Sequence, residues 1–216
     1  MRKYEFTGET EVFLNMILHR IRAVVDFGNV HAGDVGGWIE KEENLSHGGT
    51  AWVSEDAMVF SNAMVSGNAM VSGDAWVSGN AMVSGDARVF GTARVFGDAR
   101  VSGDATVFGT ARVFGTAMVF GDARVFGDAR VHGGKWDKSP CFIQGTKWSI
   151  NISSPDTVRC GCQDHTWQEW HDNYAAISRL HKADDVLEEY IQYFNLLCDM
   201  YGHEDCKIRR NLGQPR

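Results

Sequence analysis

A period of six residues governs the hydrophobic positions in the middle of the chain. Alanine occupies position 51 and every sixth position to 129, and valine occupies position 53 and every sixth position to 131. Variable residues flank each valine, which is the alternation of inward and outward positions found in a short β-strand. Glycine follows two residues after the valine in twelve of the fourteen repeats, the exceptions being Glu55 and Ser61. This glycine supplies the backbone freedom for a corner after each strand.

The pattern predicts a left-handed parallel β-helix over residues 51–134. Three of the six-residue repeats, or hexads, close a triangular coil of 18 residues, the geometry typical of hexapeptide repeats. Fourteen hexads give between four and five coils, and at ~4.8 Å per coil the prism is roughly 22 Å tall. An α-helix is excluded because a glycine in its interior costs about 1 kcal/mol each time. A disordered tract is excluded because such tracts lack a valine in every repeat.

Shorter elements are predicted before the repeats. Residues 2–8 and 17–28 alternate between apolar and polar side chains like two antiparallel strands. Trp38 and Ile39 follow a glycine-rich turn, and we expect both side chains to be core anchors. Residues 1–50 therefore form an N-terminal β cap that covers the open edge of the first coil, since a bare edge invites aggregation.

The segment after the repeats changes character and completes a mainly β fold class. Residues 141–153 and 157–162 are predicted to be short strands that form a β-hairpin. Thr166 and Glu169 make a capping box for a first α-helix, and a second amphipathic stripe ends at Gly202. The chain thus divides into a cap (1–50), a β-helix (51–134) and a C-terminal strand pair with two α-helices (135–216).

The outward positions of the prism change halfway along the repeats. Methionine, tryptophan and serine fill them in the first half, and arginine and phenylalanine fill them in the second half. Every third hexad lies on the same face, so these side chains form columns. The candidate binding residues are Arg88, Arg94, Arg100, Arg112, Arg124, Arg130, Phe90, Phe96, Phe108, Phe114, Phe120 and Phe126.

Two interpretations of these columns stay open at this point. Exposed aromatic patches usually mark contacts, and both arginine and aromatic residues are enriched at interfaces. The alternative is that the columns stack on themselves, with cation–π contacts between neighbours, or lie beneath the terminal segments.

Composition and charge narrow the class of partner. The formal net charge is −7 with no basic region, which argues against a general nucleic-acid binder. The charged start MRKYEFTGE is not a secretory signal, and the apolar run VFLNMIL is too short to span a membrane. Five cysteines, an odd number, all fall in the last third of the chain, which favours free thiols in a reducing cytoplasm.

A set of residues before the repeats carries a resemblance to known proteins. The set is Lys3, Tyr4, Ile21, Asp26, Phe27, Gly33, Gly36, Gly37, Trp38, Ile39, Asn44, Leu45 and Ser46. In these residues the chain is similar to the YdcK-like group of bacterial and prophage hexapeptide-repeat proteins, many of which are labelled acetyltransferases. The residues 159–174, RCGCQDHTWQEWHDNY, also resemble the tail of phage-type members. The acetyltransferase label rests on the fold, which alone does not establish an activity.

The resemblance makes one enzymatic hypothesis explicit. Hexapeptide-repeat acyltransferases place a histidine at a groove between subunits, where it acts as general base on the acceptor. His132 is the only histidine of the repeats, and no loop is inserted between the hexads. His132 is therefore the candidate catalytic residue of an acyltransferase that uses acyl-CoA, and a solvated surface histidine is the interpretation we favour. A zinc site built from three histidines of the coils is excluded.

The C-terminal cysteines and histidines suggest a metal site. Cys160, Cys162, His165 and Cys206, together with His203, resemble a zinc ligand set, although C-x-C is short for a zinc knuckle. We favour buried free thiols over this site, and accordingly expect no resident metal or cofactor.

The function predicted from the sequence is a non-enzymatic binding or scaffold protein. We expect a homo-oligomer, a dimer or trimer through the prism faces. The phage-like resemblance implies an accessory role in which the protein binds a host component, for example one of host defence. The alternatives are the acyltransferase and a sponge for a small anionic nucleotide held by Arg94, Arg112 and Arg130.

Overall fold

Two compact units make up the chain, and the computed structural model describes residues 2–209. The first unit ends at Pro140 and the second begins at Cys141. Within the described residues, no helix is both long enough and apolar enough to cross a membrane.

The first unit contains the predicted parallel β-helix. Each hexad contributes one strand of two residues, the valine and the residue before it. The strands of the hexads are β4 (Trp52–Val53), β5 (Met58–Val59), β6 (Met64–Val65), β7 (Met70–Val71), β8 (Trp76–Val77), β9 (Met82–Val83), β10 (Arg88–Val89), β11 (Arg94–Val95), β12 (Arg100–Val101), β13 (Thr106–Val107), β14 (Arg112–Val113), β15 (Met118–Val119), β16 (Arg124–Val125) and β17 (Arg130–Val131). Every third strand pairs in parallel, so that Arg94 lies between Trp76 and Arg112 on one face. The three columns of strands are therefore the three faces predicted from the spacing.

The interior of the prism is apolar along its whole length. Every repeat alanine and valine is buried, with at most 2% of its surface exposed. The corners are equally regular. Gly85 has φ +69°, and a Cβ atom there would lie 2.8 Å from the backbone nitrogen of Gly103 in the next coil. Glycine is needed at this corner both for the left-handed conformation and for the close approach of the coils.

The stack of coils extends beyond the fourteen hexads at both ends. Strand β3 (Val35–Ile39) pairs in parallel with β5, and Ile39 lies beside Val59. At the other end, β18 (Lys135–Trp136) pairs with β15, so that Trp136 lies beside Val119. The longest face thus stacks six parallel strands, more than the four to five coils counted from the sequence. The count fell short because these partners are 20 and 17 residues apart instead of 18, which hides them from a six-residue period.

An N-terminal hairpin continues one face of the prism. Strands β1 (Tyr4–Phe13) and β2 (Met16–Ala23) are antiparallel, as predicted. The predicted bounds were wrong, since β1 continues past residue 8 to the turn and β2 ends at Ala23 instead of at residue 28. Strand β2 also pairs with β3. The turn residues Leu14 and Asn15 have φ values of 48° and 65°. Two left-handed residues in a two-residue loop match the twist of the strands. Ile39 is fully buried and Trp38 is 7% exposed, which confirms both as core anchors.

The cap also satisfies the backbone of the first coil. Each coil donates its N–H groups to the carbonyls of the next coil, as Trp52 N does to Ala69 O at 3.0 Å. The first coil is consequently left with carbonyls that need donors. Lys3 Nζ donates to Ala51 O at 2.7 Å, and Asn44 Nδ2 donates to Ala63 O at 2.8 Å. The cap therefore supplies hydrogen-bond donors as well as apolar cover.

The second unit combines an antiparallel sheet with two helices. Its strands are β19 (Phe142–Gln144), β20 (Ser149–Ser154), β21 (Thr157–Cys160) and β22 (Gln163–Thr166), paired in that order. The helices are α1 (Trp167–Leu180) and α2 (Leu187–Tyr201). The sequence predicted two strands, but the sheet has four. The segment 141–153 turns at residues 145–148 and forms both β19 and β20, which pair antiparallel. The polar β22 lacks the apolar alternation that marks a strand. The capping box at Thr166 and the end of α2 at Gly202 are confirmed.

Candidate functional site

One face of the prism carries an unbroken column of arginines. Arg94, Arg112 and Arg130 lie side by side on β11, β14 and β17, at the spacing of hydrogen-bonded strands. The column begins on an aromatic ring, since the guanidinium carbon of Arg94 lies 4.1 Å from the ring centroid of Trp76. This contact is a cation–π interaction between the first and second halves of the prism.

The arginine column concentrates positive charge. The pKa of Arg112 is lowered, first by partial burial and then by repulsion from its neighbours Arg130 and Arg94. Stacking three like charges is unfavourable, and an anion placed over them would relieve the repulsion. This face is therefore suited to a negatively charged partner.

Phenylalanine columns run beside the arginines. The ring centroids of Phe96 and Phe114 lie 5.0 Å apart with an interplanar angle of 7°. On the neighbouring face, the centroid distances are 5.2 Å from Phe90 to Phe108 and 5.6 Å from Phe108 to Phe126. The rings stack in parallel because the coil spacing is close to an aromatic stacking distance.

Stacking buries the ring faces but leaves the outer edges of the columns accessible. Phe90 remains 38% exposed, and the other stacked phenylalanines are partly exposed. The two interpretations of the columns thus both describe part of the molecule. We name the face with Arg94, Phe96, Arg112, Phe114 and Arg130 the Arg–Phe surface. The face with Phe90, Phe108 and Phe126 is the Phe surface.

The remaining candidate residues are distributed differently. On the Phe surface, Thr106 interrupts the arginines by lying between Arg88 and Arg124. On the third face, Arg100 lies between two methionines, and Phe120 follows serines in its column. The six predicted arginines therefore form one continuous column of three and three separate charges.

His132 ends an aromatic column. Its ring lies 5.7 Å from that of Phe114, tilted by 47°, and its backbone oxygen accepts a hydrogen bond from Thr116 N at 3.1 Å. Its side chain occupies the position that phenylalanine fills in the coils before it. Its use as a general base stays a prediction.

The candidate zinc ligands are not assembled in the described residues. Between residues 2 and 209, no three histidine, cysteine or acidic side chains come together as a metal site. Burial raises the pKa of Cys160 to about 12, while Cys162 is exposed. His165 Nε2 lies 3.1 Å from Gln163 Oε1, and Cys206 Sγ lies 3.9 Å from Gln168 Oε1. Since zinc binds the thiolate, a buried protonated Cys160 is a poor ligand.

Two contributions are not visible in the repeat pattern alone. The 18-residue spacing puts Trp76 and Arg94 in one column, but it does not show that the ring supports the guanidinium. Lys3 and Asn44 of the cap donate to carbonyls of the first coil, and nothing in a sequence shows which carbonyls lack a donor.

Comparison with known proteins supports the solenoid assignment. A family model described as the YdcK beta solenoid repeat matches residues 63–79, 75–91 and 93–109. A protein of Escherichia coli (strain K12) named "Uncharacterized acetyltransferase YdcK" is 36% identical over 69 residues. That match covers 28% of this chain and 21% of the E. coli protein, so it spans about a fifth of the relative's length. The matched repeats lie in the prism, and they confirm the resemblance for that part of the chain.

Proposed function

Because its prism makes this chain a YdcK-like β-solenoid repeat protein, we propose that it acts as a non-enzymatic binding scaffold and a homo-oligomer. The observation that carries the proposal is the change halfway along the prism, where stacked phenylalanines and a column of arginines replace methionine and serine at the outward positions. Such side chains are enriched at protein interfaces.

The two surfaces are suited to different occupants. On the Phe surface the arginines are interrupted, so a second copy of the same face can approach without opposing columns of charge. On the Arg–Phe surface an identical face brings arginine against arginine, which is repulsive. We therefore assign self-association to the Phe surface and an acidic protein partner to the Arg–Phe surface.

A host protein with an acidic surface is the partner we propose. The stretches similar to phage-type proteins suggested this class of partner. The arginine column suits it, since complementary charges speed association and select the partner.

Binding from a bacterial lysate tests the partner assignment. The triple variant Arg94→Met, Arg112→Met and Arg130→Met replaces each arginine of the column with methionine. Methionine is already present in this column at Met58. We expect a partner that is captured by the unmodified protein and lost with the triple variant. The control is Arg100→Met on the third face, which should retain the partner. Equal capture by the triple variant contradicts the assignment of this surface.

The name of the E. coli relative favours a second candidate function, that of an acyltransferase. In this candidate function, His132 of the present chain acts as general base and acyl-CoA is the donor. A thiol-release assay with acetyl-CoA tests this activity. The variant His132→Phe preserves the aromatic column, because phenylalanine fills the same position at Phe114. Release of CoA by the unmodified protein but not by this variant would replace the scaffold proposal.

A nucleotide sponge held by Arg94, Arg112 and Arg130 is the remaining candidate. Thermal unfolding with and without cyclic nucleotides separates it from the scaffold. A rise in Tm that disappears in the triple arginine variant would support the sponge.

A further inference from the structure

A cavity lies between the sheet and the two helices of the second unit. Its volume is about 110 Å³, and its walls come from β20, β21, β22, α1 and α2. Five aromatic side chains line it: Trp148, Trp170, Tyr174, Tyr190 and Phe194. The packing of the helices against the sheet leaves room for a small ligand.

The residues that line the cavity exclude a charged ligand. Among the residues that the structure describes, no aspartate, glutamate, lysine or arginine lines the cavity. Transfer of an ion into such surroundings is strongly unfavourable, so an anionic nucleotide or acyl-CoA does not fit. A neutral, largely apolar ligand does.

The volume of the cavity limits the size of the ligand. Sites for drug-sized ligands measure about 300–1,000 Å³. An engineered apolar cavity of about 150 Å³ holds one benzene molecule. At about 110 Å³ this cavity is smaller, but it opens to solvent beside the exposed Cys162. It therefore accepts one aromatic ring at most, with a small substituent directed toward the opening.

One polar group of the lining calls for a hydrogen bond. Tyr190 and Trp170 already use their polar atoms, the hydroxyl on Trp148 O at 2.8 Å and the indole nitrogen on Val158 O at 2.6 Å. In contrast, Nε2 of His181 is buried and has no hydrogen-bond partner among the described residues. Such an atom is costly to leave unsatisfied, and a ligand that reaches it gains a hydrogen bond.

From these features we propose that the cavity is a binding site for a small neutral aromatic molecule with one hydrogen-bonding group, in the size class of phenol. The ring packs among the aromatic side chains and its polar group pairs with His181. This site is separate from the Arg–Phe surface, so the proposal stands or falls independently of the scaffold function.

Binding of two fluorinated probes to the full chain tests the site. We expect saturable binding of 4-fluorophenol and fluorobenzene in ¹⁹F NMR titrations. The variant His181→Phe keeps a ring but removes the nitrogen. It should weaken 4-fluorophenol roughly five- to tenfold and leave fluorobenzene unchanged. An equal effect on both probes, or no saturable binding of either probe, overturns the proposal.

Two further variants separate cavity binding from surface binding. Ala183 lines the cavity and is 7% exposed, so Ala183→Leu fills it and should abolish binding of both probes. Leu180→Phe is the control, because Leu180 is in the same region but 77% exposed and outside the lining. Circular dichroism shows whether each variant is folded. Undiminished binding to a folded Ala183→Leu variant contradicts the site.

The exposed Cys162 provides a readout that needs no substitution. It lines the cavity and is exposed, which places its thiol at the mouth. Alkylation of Cys162 by iodoacetamide should slow as 4-fluorophenol saturates the site. An alkylation rate that does not depend on the probe places the ligand elsewhere and overturns the proposal, even if Ala183→Leu fails to fold.

Discussion

The corner residues of the prism tolerate little change. Gly85 combines a φ of +69° with a backbone neighbour that would lie 2.8 Å from a Cβ atom at this position. We expect Gly85→Ala to destabilise the first unit by at least about 1–2 kcal/mol, the cost of a left-handed L-residue, with the close contact adding to it. Ser61 is the matched control, since it is already a non-glycine corner with φ 60°. Ser61→Ala should change the free energy of unfolding by less than about 0.5 kcal/mol in urea titrations.

Lys3 links stability to pH at the cap. Burial lowers the pKa of its ammonium to about 8, whereas an unfolded chain holds that proton to about pH 10.4. Between these values the unfolded chain binds more protons, so the Lys3 contribution makes stability rise with pH, by at most about 1.4 kcal/mol per pH unit. Above about pH 10 the buried Tyr4, whose pKa is raised, acts in the opposite direction.

The difference in the free energy of unfolding between the unmodified protein and Lys3→Met isolates the contribution of Lys3. Urea unfolding at pH 7, 8, 9 and 10 should show the unmodified protein gaining stability relative to Lys3→Met across the window from pH 8 to 10. The exposed Lys138 serves as a control, and Lys138→Met should run parallel to the unmodified protein. A constant difference between the unmodified protein and Lys3→Met contradicts the lowered pKa.

Stacked phenylalanines link neighbouring strands. Phe96 and Phe114 are 5.0 Å apart on β11 and β14, and serine fills the same position at Ser78 in the coil before. A double-mutant cycle with Phe96→Ser and Phe114→Ser should give a coupling energy of about 0.5–1.5 kcal/mol. Phe96 paired with Phe108, on another face, is the control and should be additive. Additivity within about 0.3 kcal/mol for the stacked pair contradicts a stabilising ladder.

Elements with strong repetition were predictable, and elements specified by tertiary pairing were not. The alanine and valine positions determine the strands β4–β17 and their register, because one period serves every coil. Strands β3 and β18 break that period by two residues and one residue, so only their pairing partners reveal them. The polar β22 belongs to a sheet because β21 pairs with it, which no local pattern shows.

The columns of the candidate site were predictable from the sequence, but the packing of their side chains was not. The 18-residue spacing placed the arginines and phenylalanines in columns, and strand pairing confirms that arrangement. The stacking of the rings, the support of Arg94 by Trp76 and the cavity of the second unit depend on side-chain packing, and a sequence pattern does not contain it.

At the scale of the whole molecule, the prism is a regular rod with two different halves. Its interior is the same from end to end, so the change from methionine and serine to arginine and phenylalanine serves the outside alone. Exposed aromatic patches are typical of contact surfaces. We propose that the Phe surface is an interface between copies of this chain.

Light scattering coupled to size-exclusion chromatography measures that claim directly. The molar mass of the unmodified protein should be two or three times the 24.0 kDa of one chain. The double variant Phe90→Ser and Phe108→Ser should have the molar mass of one chain. Serine is the native residue at Ser54 and Ser72 of the same column. Met64→Ser with Met82→Ser, on the third face, should leave the oligomer intact. A single-chain mass for the unmodified protein at the highest attainable concentration, or an oligomer that survives loss of both phenylalanines, would contradict the account.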